Sequence, residues 1–456
     1  MAMKASYIIY ILFILLPNVV TMAQSVESDE LFSKGVHLYN MKKYKEAIPI
    51  FQESDRLDKI EMDSTHNRRD YSAMWLASCH YQLGDEKQAQ KISPYYYKLS
   101  PIDRRLTIQS DSLSALADKA FEHQDYTKAL KLYKQCDAIE ATILGKNHIW
   151  RMTTIANEGY CYSQLSDSTN AIKCFEAHQA ACQQLYNLEC DAAMNTLFAL
   201  GHEYYNHQFE NHYLKALNAY FQAYELAKNL NDSINYNSSL YCISLCYFSQ
   251  SQENNGDEQG KYLENAEVFV RELRNDNEED RYLKNLIYDN LANFYNKKSE
   301  EYLQDSITLQ QALDYSQKAL ETYQKKPDAD QGVKRLLEIY KMDCLIRSNK
   351  MQEAIELGED LYAAFLPIRQ QESENYQTLL QNLSYSYKVL GNEEKNIFYL
   401  NLLSTSYTQS NQTQNEKILD VFYELSQAYY RTSQYKEALH YAKPAKKICN
   451  REIYPE

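Results

Sequence analysis

The chain has 456 residues and a formal net charge of −14 at pH 7, with 48 lysines and arginines against 62 aspartates and glutamates. Nucleic acids and anionic lipid surfaces select clustered basic side chains, so this balance argues against both as partners. Ten glycines and eight prolines are few for this length and favour helices with short connections, while tyrosine is abundant at 42 residues.

The first 23 residues have the pattern of a secretory signal peptide. Lys4 is the only charge before Glu27, and an apolar run occupies residues 7–16. Small residues then stand before Gln24 at the two positions that a signal peptidase reads, which predicts cleavage there. The apolar run is too short for a bilayer, which needs about 20 residues. We therefore expect an exported protein, periplasmic or secreted, with no membrane insertion after cleavage.

Residues 31–58 have the pattern of two amphipathic helices joined by a tight turn. Small or apolar residues recur at three- and four-residue steps in each half, as on one face of a helix. These residues are Leu31, Gly35, Leu38, Ala47, Ile48, Phe51 and Leu57. The polar residues 40–43 between the halves favour the turn. Because Gly35 and Ala47 are small, two antiparallel helices can approach closely there.

The position of Ala47 recurs along the chain, and we call it the alanine position. Its occupants are Ala47, Ala89, Ala129, Ala171, Ala216, Ala266, Ala312, Ala354, Asn396 and Ala438. Successive occupants are 40 to 50 residues apart, and five of the nine intervals are 42 residues. Seven repeats also have a small or medium residue twelve positions earlier, which we call the glycine position. These residues are Gly35, Ala77, Ala117, Gly159, Met342, Ser384 and Ser426. The periodicity predicts an array in which each unit packs on its neighbours.

The unit resembles a tetratricopeptide repeat (TPR), whose signature is W-x2-L-G-x2-Y followed by A-x3-F. Gly35, Ala47 and Phe51 match its spacing, and residues 197–204, LFALGHEY, contain its L-G-x2-Y. The interval of about 42 residues exceeds the usual 34 and is similar to that of kinesin light chain and related bacterial arrays. The resemblance implies an all-α fold, an α-α superhelix (TPR solenoid) of about ten helix pairs over residues 24–456. The approximate repeats are 27–62, 68–101, 109–145, 151–187, 193–231, 236–275, 281–326, 332–368, 374–411 and 416–450.

Parts of the array depart from the regular pattern. Pro94 follows Ser93 where the second helix of the second repeat should run, which predicts a bend or a break because proline lacks the backbone N–H. The central repeats carry insertions around residues 209–213, 250–260 and 300–309. The middle one, QSQENNGDEQG, combines turn-forming and charged residues and is predicted to be an exposed loop.

The sequence contains no recognisable motif for catalysis or cofactor binding. His202 and His207 look at first like a zinc-protease pair, but their spacing is H-E-x3-H, which places them about 140° apart around a helix. There is no glycine-rich phosphate loop and no nucleophile elbow. We therefore expect a protein that is not an enzyme and that has no cofactor and no metal.

Ten cysteines in an exported chain raise the question of disulfide bonds. Four of them follow the glycine position of their own repeat by two residues, where the TPR family usually has a small packed residue. They are Cys79, Cys161, Cys246 and Cys344. Equivalent positions in successive repeats stand about one helix diameter apart or more, too far for a disulfide. Buried thiols are the favoured interpretation, and the evenly spaced Cys174, Cys182 and Cys190 leave pairing open.

The resemblance also implies where a partner would bind. In TPR arrays the first helices line a concave face, and side chains three before, one after and four after the glycine position point into it. These positions hold fourteen candidate groove residues: Phe32, Tyr39, Met74, Tyr81, Phe121, Tyr160, Phe198, His202, Tyr205, Tyr241, Phe248, Tyr385, Tyr423 and Tyr430. Tyrosine supplies a large contact area at low entropic cost, which suits an extended peptide. The competing interpretation is that a tyrosine-rich chain places tyrosine everywhere, including between repeats.

These observations predict a non-catalytic protein–protein interaction scaffold that binds an extended peptide or protein partner in the cell envelope. The alternative is a sensory or regulatory TPR module of a longer or neighbouring signalling protein with a peptidase-like, kinase or DNA-binding output. That alternative rests on the absence of a polar capping helix after the tenth pair, since terminal repeats usually need one.

Overall fold

The computed structural model describes residues 26–61, 71–93, 101–144, 149–186, 191–207, 211–274, 277–305, 307–409 and 416–453. Within these ranges the chain forms twenty α-helices and no β-strand. The prediction of an all-α fold built from helix pairs is therefore confirmed. The predicted signal peptide, residues 1–23, lies outside the described ranges.

The chain divides into two compact units, of which the first ends at Cys246 and the second begins at Tyr247. The first ten helices belong to the N-terminal unit and form five consecutive pairs. They are α1 (Val26–Asn40), α2 (Tyr44–Glu61), α3 (Tyr71–Gln82), α4 (Glu86–Ile92), α5 (Pro101–Glu122), α6 (Tyr126–Ile143), α7 (Ile149–Gln164), α8 (Ser168–Tyr186), α9 (Asp191–Asn206) and α10 (His212–Asn229). The division between the units falls within α11 (Ser233–Glu253).

The remaining helices belong to the C-terminal unit and continue the alternation of first and second helices. They are α12 (Gly256–Val270), α13 (Glu278–Tyr302), α14 (Leu309–Gln324), α15 (Gln331–Arg347), α16 (Met351–Phe365), α17 (Ser373–Val389), α18 (Glu393–Gln409), α19 (Glu416–Arg431) and α20 (Tyr435–Ile453). Odd-numbered helices are thus the first helix of each pair, and even-numbered helices are the second.

The same turn joins the two helices in seven of the pairs. Its middle residue has a φ between +58° and +81°, the left-handed region. These residues are Lys42, Gly84, Gln124, Ser166, Asn349, Gly391 and Ser433. In the third pair the Asp125 N–H donates to the Ala120 carbonyl at 2.9 Å and closes α5, while the Asp125 side chain accepts from the Lys128 N–H at 3.2 Å and caps α6. The turn therefore satisfies both helix ends while it reverses the chain.

A seam of small residues holds the helices of a pair together. All ten residues at the alanine position are buried, which confirms the predicted register. In pairs with an aromatic residue four positions after the alanine position, its ring packs against the backbone at the glycine position. A Cβ added at Gly35 would stand 2.6 Å from Phe51, and one at Gly201 would stand 2.3 Å from Tyr220. Carbon atoms cannot approach so closely, so this helix spacing requires glycine.

The ninth pair replaces the apolar seam with a hydrogen bond. Ser384 at the glycine position donates to Oδ1 of Asn396 at the alanine position, at 3.1 Å. The Asn396 amide in turn donates to Glu393 at 2.9 Å. Both Ser384 and Asn396 are buried, and buried polar groups are stable only with such partners. The register of the array is therefore kept without an alanine.

One predicted irregularity is confirmed and another is wrong. Helix α4 ends at Ile92 with Ser93 as its C-cap, as the following proline favours. The exposed loop predicted for residues 250–260 does not exist, because α11 continues to Glu253 and α12 begins at Gly256. Polar residues of this stretch lie on the solvent side of two helices, which composition alone cannot distinguish from a loop.

The other two insertions lie at connections between helices. The first falls between α9 and α10, and the second falls between α13 and α14. No helix within the described ranges is long and apolar enough to cross a membrane.

Candidate binding surface

Aromatic residues four positions after the glycine position pack across the turn of their own helix pair. Each ring meets an aromatic residue three positions before the alanine position, with the rings edge-on. The pairs and their centroid distances are Tyr39–Tyr44 at 5.0 Å, Phe121–Tyr126 at 5.1 Å, Tyr205–Tyr213 at 5.8 Å and Tyr430–Tyr435 at 5.6 Å. We call this contact the aromatic clasp. Edge-on aromatic pairs add about 0.5–1.5 kcal/mol beyond their buried area, so the clasp stabilises the turn.

Tyrosines three positions after the glycine position join successive repeats. Each contacts the residue five positions after the alanine position of the preceding repeat. Tyr204 donates to Glu176 at 2.7 Å, Tyr387 donates to Glu359 at 2.6 Å, and the Asn401 amide donates to Tyr429 at 3.0 Å. In the third and fourth repeats Lys134 lies 5.1 Å from the ring centre of Tyr162. The tyrosine of the L-G-x2-Y signature is therefore a tether between repeats, which the sequence interpretation did not assign.

The fourteen candidate groove residues differ widely in exposure. Four are buried, and these are Tyr39, Met74, Phe198 and His202. Seven are half-buried, and these are Phe32, Tyr81, Phe121, Tyr160, Tyr205, Tyr241 and Phe248. Three are exposed, namely Tyr385 at 49%, Tyr423 at 57% and Tyr430 at 64%. Of the fourteen, these three are the ones exposed enough to contact a partner without rearrangement.

Neighbouring rings cover the candidates of the first repeats. The Trp75 ring, itself buried, lies edge-on to Phe32 at 6.4 Å and to Tyr39 at 4.9 Å. In the fifth repeat the covering ring is that of Tyr220, four positions after the alanine position. It lies edge-on to His202 at 5.7 Å. The candidate groove residues of the N-terminal unit therefore pack largely against neighbouring side chains.

In the ninth and tenth repeats, smaller residues replace the covering rings. The position four residues after the alanine position holds Leu400 and Ala442 there, instead of the rings of Phe51, Phe175 and Tyr220. No ring of the second helix is thus available at that position to cover an aromatic side chain on α17 or α19. Tyr385 and Tyr423 are exposed in these two repeats.

We call Tyr385, Tyr423 and Tyr430 the tyrosine face. Buried residues on the opposite side of each helix fix its orientation, with Leu379, Leu380 and Leu383 on α17 and Ile418, Val421 and Leu425 on α19. Lys388 and Glu424 form an ion pair of 2.6 Å that joins the two helices beside the face. Both side chains are about one-third exposed, so their remaining donors and acceptors can reach a partner's backbone. The arrangement offers rings for apolar contact and charges for hydrogen bonds.

His202 and His207 have separate roles in the structure. The Tyr220 hydroxyl lies 3.1 Å from His202 Nδ1, and burial lowers the pKa of His202 to about 4, so it is neutral at pH 7. His207 instead forms a hydrogen bond with Ser168, which belongs to the preceding helix pair. No group of three or more metal-ligating side chains occurs within the described part of the chain.

Within the described ranges, the cysteines with free thiols include Cys79, Cys136, Cys161, Cys174, Cys242, Cys246 and Cys344. The four that were expected to be buried are buried. Burial raises the pKa of Cys79 and Cys161 to about 12, and the thiolate is the reactive form, so these thiols are inert at neutral pH. Cys182 lies 3.6 Å from His178 Nδ1, and Cys190 lies outside the described ranges.

Solved structures with helical repeats are similar to this chain at low identity. Kinesin light chain TPR-like repeats from Podosopora anserina are 14% identical, cover 54% of this chain and 97% of that chain, and have a TM-score of 0.27. A Rap protein complexed with competence and sporulation factor is 11% identical over 94% of this chain and 99% of that one, with a TM-score of 0.30. Aspartyl phosphate phosphatase F from Bacillus subtilis is 12% identical over 93% and 94%, with a TM-score of 0.41.

No protein-family profile and no curated protein matches the sequence. The repeat type therefore rests on the chain's own geometry, in which glycine and alanine positions, the covering ring and the tethering tyrosine recur as in a TPR-like array.

Proposed function

We propose that this protein is a non-catalytic, exported scaffold whose tyrosine face binds an extended segment of another protein. The single observation that carries the proposal is the exposure of Tyr385, Tyr423 and Tyr430 on first helices, where rings at equivalent positions of earlier repeats are covered. An exposed tyrosine gains by burial against a partner and keeps a hydroxyl for hydrogen bonding. Tyrosine is also among the residues that dominate binding energy at protein interfaces.

The spacing of the face suits an extended chain. Packed helices lie roughly 10 Å apart, and extended chain advances about 3.3 Å per residue. Two side chains about three residues apart in a bound strand could therefore contact Tyr385 and Tyr423 in turn. The Lys388–Glu424 pair joins the two helices that carry these tyrosines and has hydrogen-bonding groups for the peptide backbone.

Selection from a displayed library of random twelve-residue peptides on the purified full chain tests the proposal. A selected peptide would then be measured by fluorescence anisotropy against the wild type and the Tyr385→Ala/Tyr423→Ala double variant. We expect affinity to fall by at least tenfold, because each truncated interface tyrosine costs about 1–2 kcal/mol. Tyr282→Ala is the matched control, since Tyr282 is 57% exposed, as Tyr423 is, and lies on α13.

Failure to enrich any peptide would overturn the proposal. Enrichment of peptides that bind the double variant as tightly as the wild type would move the binding site away from the tyrosine face and overturn it equally. A circular dichroism melt of each variant checks that the helices are retained.

A further inference from the structure

A cavity of about 640 Å³ lies in the C-terminal unit, separate from the residues of the tyrosine face. It is bounded by the end of α16, the turn that follows, the first turn of α17 and the last turns of α18. Cavities of roughly 300–1,000 Å³ are the usual size of small-molecule sites. The cavity is therefore large enough to hold an amino-acid-sized ligand.

Part of the cavity lining is apolar. Tyr362 and Tyr376 place their rings 6.3 Å apart and nearly parallel, at 19°, and Tyr376 is almost fully buried. Leu366 and Leu402 also line the cavity. Leu366 is 41% exposed, although large apolar side chains usually lie inside a protein. A flat apolar or aromatic group would fit against these side chains.

The cavity lining also has polar groups and a positive charge. Among the described residues that line the cavity, Arg369 is the only charged one, and hydroxyl groups in the lining include those of Ser373 and Thr405. One guanidinium nitrogen of Arg369 donates to the Leu366 carbonyl at 2.9 Å, which holds the side chain against the end of α16. The nearest carboxylate in sequence, Glu372, is already paired with Arg335.

We infer that this cavity binds a carboxylate attached to an apolar or aromatic group. A guanidinium offers parallel N–H donors that match the two oxygens of a carboxylate, and such charge-assisted bonds are about twice as strong as neutral ones. The two tyrosine rings and two leucines accept the apolar group, so the same cavity offers contacts to both ends of the ligand.

Two sources could supply this chemistry, a free organic acid or the C-terminal residue of a peptide. Isothermal titration of the full chain with three probes distinguishes them. The probes are N-acetyl-phenylalanine, its neutral amide, and an acetylated hexapeptide of five alanines followed by phenylalanine. We expect the acid to bind at least tenfold more tightly than the amide. Tighter binding of the hexapeptide than of the acid assigns the site to peptide ends, and equal binding assigns it to the free acid.

Two variants connect the binding to the cavity. Arg369→Gln should remove the preference for acid over amide, while Arg271→Gln, at the exposed C-cap of α12, should leave it unchanged. Thr405→Trp places a bulky ring at the cavity while Arg369 itself is retained, and it should abolish binding of all three probes. Tyr385→Ala should have no effect, which separates this site from the tyrosine face.

Absence of saturable binding by all three probes would overturn the inference, as would equal affinity for acid and amide. Retention of the acid preference in Arg369→Gln would do the same. If Arg369→Gln lowers the melting temperature, Thr405→Trp alone decides whether the cavity is the site.

Discussion

Tyr387 on α17 donates a 2.6 Å hydrogen bond to Glu359 on α16, and Tyr399 on α18 donates to the other oxygen of the same carboxylate at 2.7 Å. Lys395 lies 3.5 Å from that carboxylate. Burial alone would raise the pKa of Glu359, but the two phenols and Lys395 hold it below its usual value. One side chain thus joins the eighth repeat to both helices of the ninth.

Glu359→Ala should destabilise the C-terminal unit by about 1–3 kcal/mol, because two partly buried phenols lose their acceptor together. Urea unfolding followed by circular dichroism measures the change. Glu353→Ala is the matched control, since Glu353 is an exposed carboxylate on the same helix, and we expect a change below about 0.5 kcal/mol. Equal losses in the two variants would contradict a tethering role for Glu359.

The register of the array could be predicted because residues close together in the sequence determine it. Small residues at the glycine and alanine positions are twelve apart in most repeats, and burying them needs no knowledge of distant residues. Asn396 illustrates the strength of this periodicity. The interval of 42 residues assigns it to the alanine position, where it is buried, even though its side chain is polar.

Exposure at the candidate groove could not be predicted in the same way. His202 and Tyr385 occupy the same position in their repeats, but His202 meets the Tyr220 ring, whereas the matching residue in the ninth repeat is Leu400. The exposure of the side chain at this position therefore depends on a residue of another helix. The Glu359–Tyr387 tether also joins residues 28 apart, and nothing in the local sequence distinguishes Glu359 from its neighbouring carboxylates.

Gly201→Ala should destabilise the N-terminal unit by about 1–3 kcal/mol, because the added methyl group would stand 2.3 Å from the Tyr220 ring. The measurement is urea unfolding of the full chain. The double variant Gly201→Ala/Tyr220→Leu should lose less than the sum of the two single variants, because the smaller side chain makes room for the methyl group. Strict additivity of the two changes would show that the ring and the glycine do not share this contact.

Export predicts a mature protein that begins at Gln24. Intact-mass measurement on protein recovered from the envelope or medium of the native host should show loss of residues 1–23. Replacing residue Leu12 by Arg interrupts the apolar run and should leave the full-length chain inside the cell. Recovery of the uncleaved chain from the cytoplasm of unmodified cells would refute export.

Three buried carboxyl groups of the N-terminal unit should contribute stability that grows as the pH falls, in contrast to the usual behaviour of carboxylates. Burial raises the pKa of Glu158 on α7 to about 7, and burial also raises the pKa of Glu140 on α6 and of Asp111 on α5. Asp137 adds to this effect at Glu158, while Lys134 and Arg151 oppose it. These three carboxyl groups bind protons more readily in the folded state than in the unfolded state.

A raised acid pKa contributes stability that is complete below the unfolded value, near 4.5 for glutamate, and is lost as the pH rises through the folded value. For Glu158 the loss falls between about pH 4.5 and pH 7 and is on the order of 1 kcal/mol. Urea unfolding at pH 5.5 and pH 8.0 measures the change. Glu158→Gln keeps the shape of the side chain and removes its titration, so the stability of the wild type minus that of the variant should be larger at pH 5.5 than at pH 8.0. This comparison cancels the contribution of buried His178 and His202, whose lowered pKa of about 4 acts in the opposite direction. An identical pH response in this variant and the wild type would show that Glu158 does not titrate in this window.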